Sequence, residues 1–495
     1  MALSLSEKLN QLLISLSGFY PETGLVLLFI LLITTDLIFH KQSYKPTGWL
    51  AVAGFCCIFF LSVTQYPLSF QNSSGSFLGM VHSTQYTILF KCLFQLMGIL
   101  TILLAWIEKK TYAKSGEFFA ILTALLLGLH LMIMGSHLII VYLGIELVSI
   151  SSYVLTYFAD NKRSAQGSLR YILFGAMSSG VMLYGISWLY GLTGSLAFLD
   201  TVFWETLATQ PPLLVTIAVI LTLSGVLFKI AVVPFHVWAP DIYDAAPLSV
   251  VTFFSISPKL AALFILLVIS QIDMIDKFGF QSFIAILSIA SITIGNFSAL
   301  TQSNSRKMMA YSSIAHSGFL LIGLLGRNTF SAETFLFYSI TYLFINVSAF
   351  LLLLWLERIT DSHTINDYKG LGMKFPGLGI AIVIVMIALA GLPPTVGFTA
   401  KLLIFSSLWT IYNQSDNVLL LILFGWGLLN IAVSIFYYLR IPYYLFFKSG
   451  TTSYPTSVKA FHWTEIILLI AVLAPVLVLF FKSSWLTESL GLFLR

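Results

Sequence analysis

Long apolar runs dominate this chain, and their spacing predicts helices that cross a membrane. An α-helix needs about 20 mainly apolar residues to cross the hydrocarbon core. Apolar runs bounded by charged residues, Gly, Pro or polar clusters number about fourteen, with thirteen as the alternative count. The predicted spans are residues 23–39, 48–64, 84–107, 117–135, 137–158, 169–191, 213–240, 248–270, 278–300, 308–326, 331–355, 377–410, 418–447 and 462–482. The pattern predicts an all-α polytopic membrane protein with no separate soluble domain.

The composition supports this class and excludes several others. Charged residues make up 9% of the 495 residues and hydrophobic types 58%, whereas about 25% of an ordinary soluble domain is charged. A soluble protein, a disordered chain and a nucleic-acid binder are therefore excluded. Three cysteines without a Cys-x-x-Cys arrangement also exclude a disulfide scaffold and a self-contained iron–sulfur protein.

The basic residues predict the orientation of the chain. Loops after odd-numbered spans hold fourteen Lys and Arg residues, and loops after even-numbered spans hold two, Lys277 and Arg327. The fourteen are Lys41, Lys45, Lys109, Lys110, Lys114, Lys162, Arg163, Arg306, Lys307, Arg358, Lys369, Lys374, Lys448 and Lys459. By the positive-inside rule both termini face the outer side. One odd loop, after span 7, is an exception because it carries Asp241 and Asp244 and no cation. A bacterial plasma or inner membrane is favoured over an organellar inner membrane because no transit peptide is evident.

Several charges lie inside the predicted spans, where each costs about 2.5–3.5 kcal/mol at a helix centre. We expect Lys91 to snorkel to a headgroup and Arg440 to anchor span 13 at the interface. Arg170, at the start of span 6, is either topological or functional. Snorkelling and interfacial anchoring do not suit the four mid-span groups, which we predict to be functional: Glu146, Lys229, Lys259 and Lys401.

Prolines interrupt two of the spans that carry these lysines. Pro234 follows Lys229 by five residues, and Pro393 and Pro394 precede Lys401, so helices 7 and 12 should be broken. Broken backbone at membrane depth is tolerated where it lines a cavity, and it is typical of transporters built from inverted repeats. The breaks are five spans apart. We therefore predict N-terminal helices 1–3 in residues 1–116, two inverted five-helix repeats in residues 117–270 and 271–450, and a final helix in residues 451–495.

The buried lysines suit proton transfer. Burial destabilises an ammonium and a nearby carboxylate stabilises it again, so Lys229 should hold its proton when Glu146 approaches. On separation it would pass the proton to Lys259 and on to Lys401. Lysine suits this role because arginine is not deprotonated in proteins. Two histidines are supporting candidates. His236 could line the face of Lys229, and His316 could bridge the two halves, although a structural histidine is the alternative for His316.

Four sequence features carry a family resemblance. They are the run K-x4-PFHxWxPDxYxxAP from Lys229 to Pro247 with Lys259 after it, the Glu146 span, the stretch from Ser305 to Gly318, and GLPPTxGFxxK from Gly391 to Lys401. Together they resemble the antiporter-like, proton-pumping membrane subunits of respiratory complex I, which are related to Mrp-type antiporter subunits. Within that family the chain is most similar to the subunit N branch.

The resemblance implies a role for each candidate residue. Glu146, Lys229, Lys259 and Lys401 match the family's proton-transfer axis, and Arg170 matches a basic position that would supply fixed charge. It also implies a subunit of a proton-translocating NADH:quinone reductase. FMN, iron–sulfur clusters and quinone would be held by partner subunits, and this chain would bind no cofactor or metal. The partners would be other membrane subunits of the complex, including neighbouring antiporter-like ones, and the lipid bilayer.

Two other functions stay open on the sequence. One is a subunit of an Mrp-type Na⁺/H⁺ antiporter, and the other a stand-alone solute symporter. Co-purifying flavin and iron–sulfur subunits would favour the NADH:quinone reductase subunit, and co-purifying small Mrp subunits would favour the antiporter. Transport by the single purified chain would favour the symporter.

Overall fold

The structure, a computed structural model, describes residues 13, 15–16, 18–39, 45–66, 76–108, 116–449 and 462–493. Twelve helices in this part of the chain are long and apolar enough to cross a membrane. The chain is therefore a multi-pass membrane protein. Five of the cations used to predict orientation lie outside the described residues: Lys41, Lys109, Lys110, Lys114 and Lys459.

Seventeen helices of the described chain are labelled here in chain order. They are α1 Tyr20–Ile38, α2 Lys45–Thr64, α3 Gln85–Glu108, α4 Gly116–Met134, α5 Leu138–Tyr157, α6 Lys162–Thr193, α7 Pro212–Ile230, α8 Trp238–Ala245, α9 Leu248–Ser270, α10 Phe280–Thr301, α11 Ser305–Ile322, α12 Thr329–Thr360, α13 Pro376–Ala390, α14 Val396–Ser415, α15 Val418–Phe447, α16 Trp463–Phe481 and α17 Ser483–Phe493. Short helices at Thr201–Ala208 and Leu371–Lys374 connect some of them.

The all-α prediction is confirmed, and helices of the described chain lie at each of the fourteen predicted positions, twelve of them long and apolar enough to span by themselves. Helices α9 and α15 have the predicted limits, 248–270 and 418–447. The clearest difference is α6, which begins at Lys162 because Asn161 and Ser164 form a reciprocal capping box ahead of the apolar run. Helix α11 takes the tenth position, and α13 with α14 takes the twelfth.

Both predicted helix breaks are present and have similar local geometry. Helix α7 ends at Ile230, and Ala231 then takes a left-handed φ of 59°. Helix α13 ends at Ala390, and Gly391 takes a φ of 80°. In each case a proline, Pro234 or Pro394, lies three residues after the left-handed residue. The chain resumes helical structure in α8 and α14.

The chain forms two compact units. Unit 1 comprises Met1–Ile230 and Ala245–Gly279, and unit 2 comprises Ala231–Asp244 and Phe280–Arg495.

Each unit contains closely approaching helices that depend on glycine, and one such pair in each unit is compared here. A Cβ at Gly144 of α5 would lie 2.8 Å from the Met132 nitrogen of α4, and one at Gly318 of α11 would lie 2.9 Å from the Ile292 nitrogen of α10. Small residues let membrane helices pack this closely. These pairs hold corresponding places in the predicted repeats, although the inverted relation and the four-part domain division stay predictions.

Candidate functional site

Lys229 occupies the last turn of α7, directly before the first break. Its side chain is 1% exposed, and its Nζ lies 6.0 Å from the ring centre of Tyr153 and 5.7 Å from that of Tyr171. None of the described residues accepts a hydrogen bond from this Nζ. Aromatic faces and the carbonyls of a helix C-terminus both attract a cation, but neither replaces the hydrogen bonds that the ammonium loses on burial.

Glu146 lies on α5 in the same unit and is half-buried. Its charge acts on the Lys229 ammonium, yet the buried Oε1 has no hydrogen-bond partner among the described residues. The Glu146 carboxylate and the Lys229 ammonium therefore interact electrostatically but do not form a contact ion pair in this structure. A carboxylate oxygen of Glu146 and the ammonium of Lys229 are both left without hydrogen-bond partners among the described residues.

Lys259 lies near the middle of α9 and is 1% exposed. Pro258 directly precedes it and removes one backbone donor from the helix. The carboxylate of Glu108, at the end of α3, accepts hydrogen bonds from the Leu248 and Ser249 nitrogens at 3.1 and 3.2 Å. Glu108 therefore caps the N-terminus of α9 and fixes the helix that carries Lys259.

Lys401 lies on α14, beyond the second break. Its Nζ donates hydrogen bonds to the carbonyl oxygens of Leu389 at 3.1 Å and Ala390 at 2.8 Å, the last two residues of α13. The Phe319 ring centre lies 5.0 Å from the same atom. The ammonium thus satisfies carbonyls left free where α13 ends. Gly391 makes this possible, since a Cβ there would lie 2.5 Å from Lys401 Cδ.

The two candidate histidines differ in how well they are bonded. His316 of α11 is buried, and its Nδ1 and Nε2 lie 2.7 and 3.0 Å from the hydroxyls of Tyr338 and Tyr438. Its ring also packs against Phe319, which contacts Lys401. His236 lies in the first break, half-buried, and its Nδ1 has no partner among the described residues.

The two arginines at span ends differ in exposure, since Arg440 is half-buried. Arg170 of α6 is exposed. Arg440 of α15 donates a hydrogen bond to the Gln302 carbonyl at 2.8 Å and stacks over Tyr444 at 5.9 Å. Arg440 thus bonds to the end of α10 through its guanidinium.

The expectation that Lys91 snorkels is wrong. Lys91 is fully buried and forms an ion pair with Glu22 of α1, Nζ to Oε1 at 2.8 Å. His130 of α4 contacts the same oxygen through Nδ1 at 2.8 Å. Gln95 lies 3.3 Å from His130 Nε2, and Gln65 accepts from Lys91 Nζ at 2.9 Å. We call these five residues the N-terminal cluster.

One feature of the sequence could have revealed the N-terminal cluster. Thr87, Lys91 and Gln95 recur every four residues along α3, so they form a polar stripe on one face of an apolar helix. A lipid-facing Lys that snorkels needs no such stripe. The partners of this stripe lie on other helices, Glu22 for Lys91 and His130 for Gln95. Hydropathy does not predict which helices pack together.

No group of three or more His, Cys, Asp or Glu residues that could hold a metal ion occurs in the described part of the chain. The fold and the site together define a polytopic membrane protein of the transporter type, with ionisable groups buried beside broken helices. The comparisons with known proteins narrow this class.

The family described as NADH:quinone oxidoreductase/Mrp antiporter, transmembrane, matches residues 135–429. The NADH-quinone oxidoreductase subunit N of Chlorobium chlorochromatii is 32% identical over 88% of this chain and 86% of its own length. That of Trichlorobacter lovleyi is 35% identical over 88% of both chains. The chain therefore belongs to the NADH-quinone oxidoreductase subunit N family.

A solved structure agrees with this assignment. A chain of respiratory complex I from Thermus thermophilus superposes with a TM-score of 0.79 at 25% identity. The match covers 95% of this chain and 99% of that one.

Proposed function

We propose that this chain is a proton-translocating membrane subunit of an NADH-quinone oxidoreductase. In this proposal NADH oxidation and quinone reduction take place in partner subunits, which hold the FMN, the iron–sulfur clusters and the quinone. The energy released changes the charge pairing of Glu146, Lys229, Lys259 and Lys401, and protons move through these groups. Family membership and the names of the relatives support it.

One observation carries the mechanism. Lys229 is buried at membrane depth without a hydrogen bond from the described residues, and the nearby Glu146 Oε1 is also without one. Leaving two opposite charges unsatisfied costs free energy in the resting protein. The arrangement is useful if the pair alternates between a closed state, in which Lys229 keeps its proton, and an open state, in which it releases the proton.

Lys259 and Lys401 continue the same chemistry in this proposal. Each is buried and each lies beside an irregularity of the helix backbone, Pro258 or the break that follows α13. The carbonyls at the end of α13 stabilise Lys401 as a cation. His236 and His316 assist as hydrogen-bonding groups, and the exposed Arg170 supplies fixed charge.

The proposal also includes the surroundings of the subunit. The chain would lie in a bacterial plasma or inner membrane with both termini on the outer side, in contact with other membrane subunits of the complex. An Mrp-type antiporter subunit is the second candidate because the matching family includes both kinds of protein. The subunit N relatives favour the first.

The direct test uses the purified complex in proteoliposomes. With Lys229→Met we expect an assembled complex whose NADH-driven proton pumping falls at least tenfold, because the proton carrier is gone. The matched control is Lys277→Ala, which removes an exposed lysine after α9 and should pump normally. Normal pumping by assembled Lys229→Met complex would contradict the proposal, and pumping that stops when Na⁺ is removed would favour the antiporter.

A further inference from the structure

The N-terminal cluster is a charged site that the proposed function does not use. Its ion pair of Lys91 and Glu22 and the ring of His130 are completely buried. Lys91 is the seventh residue of α3, so it lies about 9 Å inside the helix start at 1.5 Å per residue. The cluster therefore lies about two turns inside α3, beside the first turn of α1 and one turn before the end of α4.

Packing alone does not require these residues. Burying an ion pair in an apolar surrounding costs desolvation energy, and apolar side chains of similar size often stabilise a protein equally well or better. Most of the other buried residues of α3 and α4 are apolar. An intramembrane group of ionisable residues is by default a functional site.

The hydrogen bonds of the cluster leave room for one more proton. His130 Nδ1 contacts the Glu22 carboxylate, and His130 Nε2 faces the Gln95 amide nitrogen at 3.3 Å. The Gln95 Oε1 and the Glu22 Oε2 are both buried without a hydrogen-bond partner among the described residues. A half-turn of the Gln95 amide would present Oε1 to a protonated Nε2, so His130 can become an imidazolium with both nitrogens satisfied.

The charge of that proton can be balanced within the cluster. Glu22 Oε1 is shared by Lys91 and His130, and Lys91 also has Gln65 Oε1 at 2.9 Å. Lys91 can therefore keep a hydrogen bond to Gln65 while the Glu22 carboxylate compensates the imidazolium. Of the described residues, Glu22 and Lys91 carry the charges that act on His130.

A cleft lies at the same ends of α3 and α4. It is lined by His82, Thr84, Thr87 and Met134, among others. Thr87 is one turn before Lys91 on α3, and Met134 is one turn after His130 on α4. Residues four apart share a helix face, so Thr87, one of the three polar side chains of this mainly apolar cleft, lies on the face of α3 that carries Lys91.

We propose that the N-terminal cluster is a second proton-binding site, in which His130 takes up and releases a proton that reaches it through this cleft. Glu22 is the counter-ion of the imidazolium, Lys91 moves its hydrogen bond to Gln65, and Gln95 turns to accept from the ring. The inference goes beyond the proposed function, because the site lies on α1, α3, α4 and the residue that follows α2, and it uses none of the four relay residues.

The test is infrared spectroscopy of the purified complex with isotope-labelled histidine. Spectra are compared at about pH 5 and about pH 8, on either side of the ordinary histidine pKa near 6.5. His130→Gln keeps a donor for Glu22 and an acceptor for Gln95 but takes up no proton. We expect this variant to lose the imidazolium signal of one histidine. His462→Gln, which removes an exposed histidine, calibrates the size of that signal.

The result that overturns the proposal is an imidazolium signal unchanged by His130→Gln while His462→Gln reduces it. If His130→Gln prevents assembly, Glu22→Gln replaces it. Glu22→Gln keeps the shape of the side chain and an acceptor oxygen but removes the counter-ion. The imidazolium signal of His130 should therefore vanish from the same pH interval. An unaltered spectrum would overturn the proposal. The readout is independent of pumping, so failure of the Lys229 test would not affect it.

Discussion

Lys229 and Lys401 lie on opposite sides of their helix breaks in the sequence, but the structure gives them a common feature. Lys229 belongs to the last turn of α7, and the Nζ of Lys401 binds the last two carbonyls of α13. Each cation thus lies at the C-terminal end of the helix that precedes the break, α7 or α13, where the helix dipole is negative. The break therefore positions a buried positive charge as well as interrupting the helix.

Gly391 provides the most specific prediction at the residue scale. Gly391→Ala would place a Cβ 2.5 Å from Lys401 Cδ at a φ of 80°. We expect a loss of about 1–2 kcal/mol from the left-handed backbone and at least a threefold loss of pumping as Lys401 is displaced. Gly425→Ala is the control, because Gly425 is inside α15 with open space around it. Equal pumping and thermal stability for the two variants would show that Lys401 does not depend on Gly391.

The residue types at the four relay positions could be predicted from sequence, but their partners could not. A charged side chain in an apolar span is visible in any sequence. The partners of Lys401 are backbone carbonyls, which carry no sequence signature, and the partners of Lys91 lie 69 residues away at Glu22 and 26 residues away at Gln65 along the chain. The same Lys in an apolar run can snorkel or pair inside, and the choice depends on helix packing.

The positions of the helices and of their ends were more predictable from the sequence than the partners of the buried side chains. Apolar runs predicted the limits of α9 and α15, and prolines predicted both breaks because proline removes a backbone donor and clashes with the preceding turn. Proline alone does not decide where a helix breaks, since Pro258 lies inside α9 and Pro442 inside α15. The sequence did not show that the N-terminus of α9 takes its cap from Glu108 on another helix. Such a cap depends on tertiary structure.

This cap gives a prediction at the element scale. Glu108→Ala removes three hydrogen bonds from Leu248 and Ser249. We expect the first turn of α9 to lose about 1–2 kcal/mol, so its amides should exchange with deuterium roughly 5–30 times faster. Glu117→Ala, which changes an exposed acid in the first turn of α4, should leave the exchange of α9 unchanged. Unaltered exchange in Glu108→Ala would show that α9 is held by packing alone.

At the scale of the whole molecule, the structure explains the acidic loop after span 7. Within unit 2, Asn304 donates a hydrogen bond to Asp244 at 2.7 Å, and Lys307 Nζ lies 4.0 Å from the same carboxylate. Lys307 of α11 therefore compensates negative charge of this loop, which has no cation of its own. Its acidity does not contradict the proposed orientation, which rests on the distribution of cations among the loops.

The proposed orientation predicts the labelling pattern of single cysteines. In a chain whose native Cys56, Cys57 and Cys92 are replaced by serine, Lys277→Cys should react with a membrane-impermeant maleimide from the outer side. Lys162→Cys should react only in inverted vesicles. Both lysines are exposed, so accessibility differs only by the side of the membrane. The reverse pattern would contradict the orientation.

The central claim is that the buried lysines release their protons, rather than only supplying positive charge. The most direct measurement is NADH-driven pumping by complexes carrying Lys229→Arg, Lys259→Arg or Lys401→Arg. Arginine keeps the charge but is not deprotonated in proteins. We predict assembled complexes that pump at less than about a tenth of the normal rate, since each tenfold loss corresponds to about 1.4 kcal/mol of barrier. Pumping within twofold of normal by all three assembled variants would contradict the account.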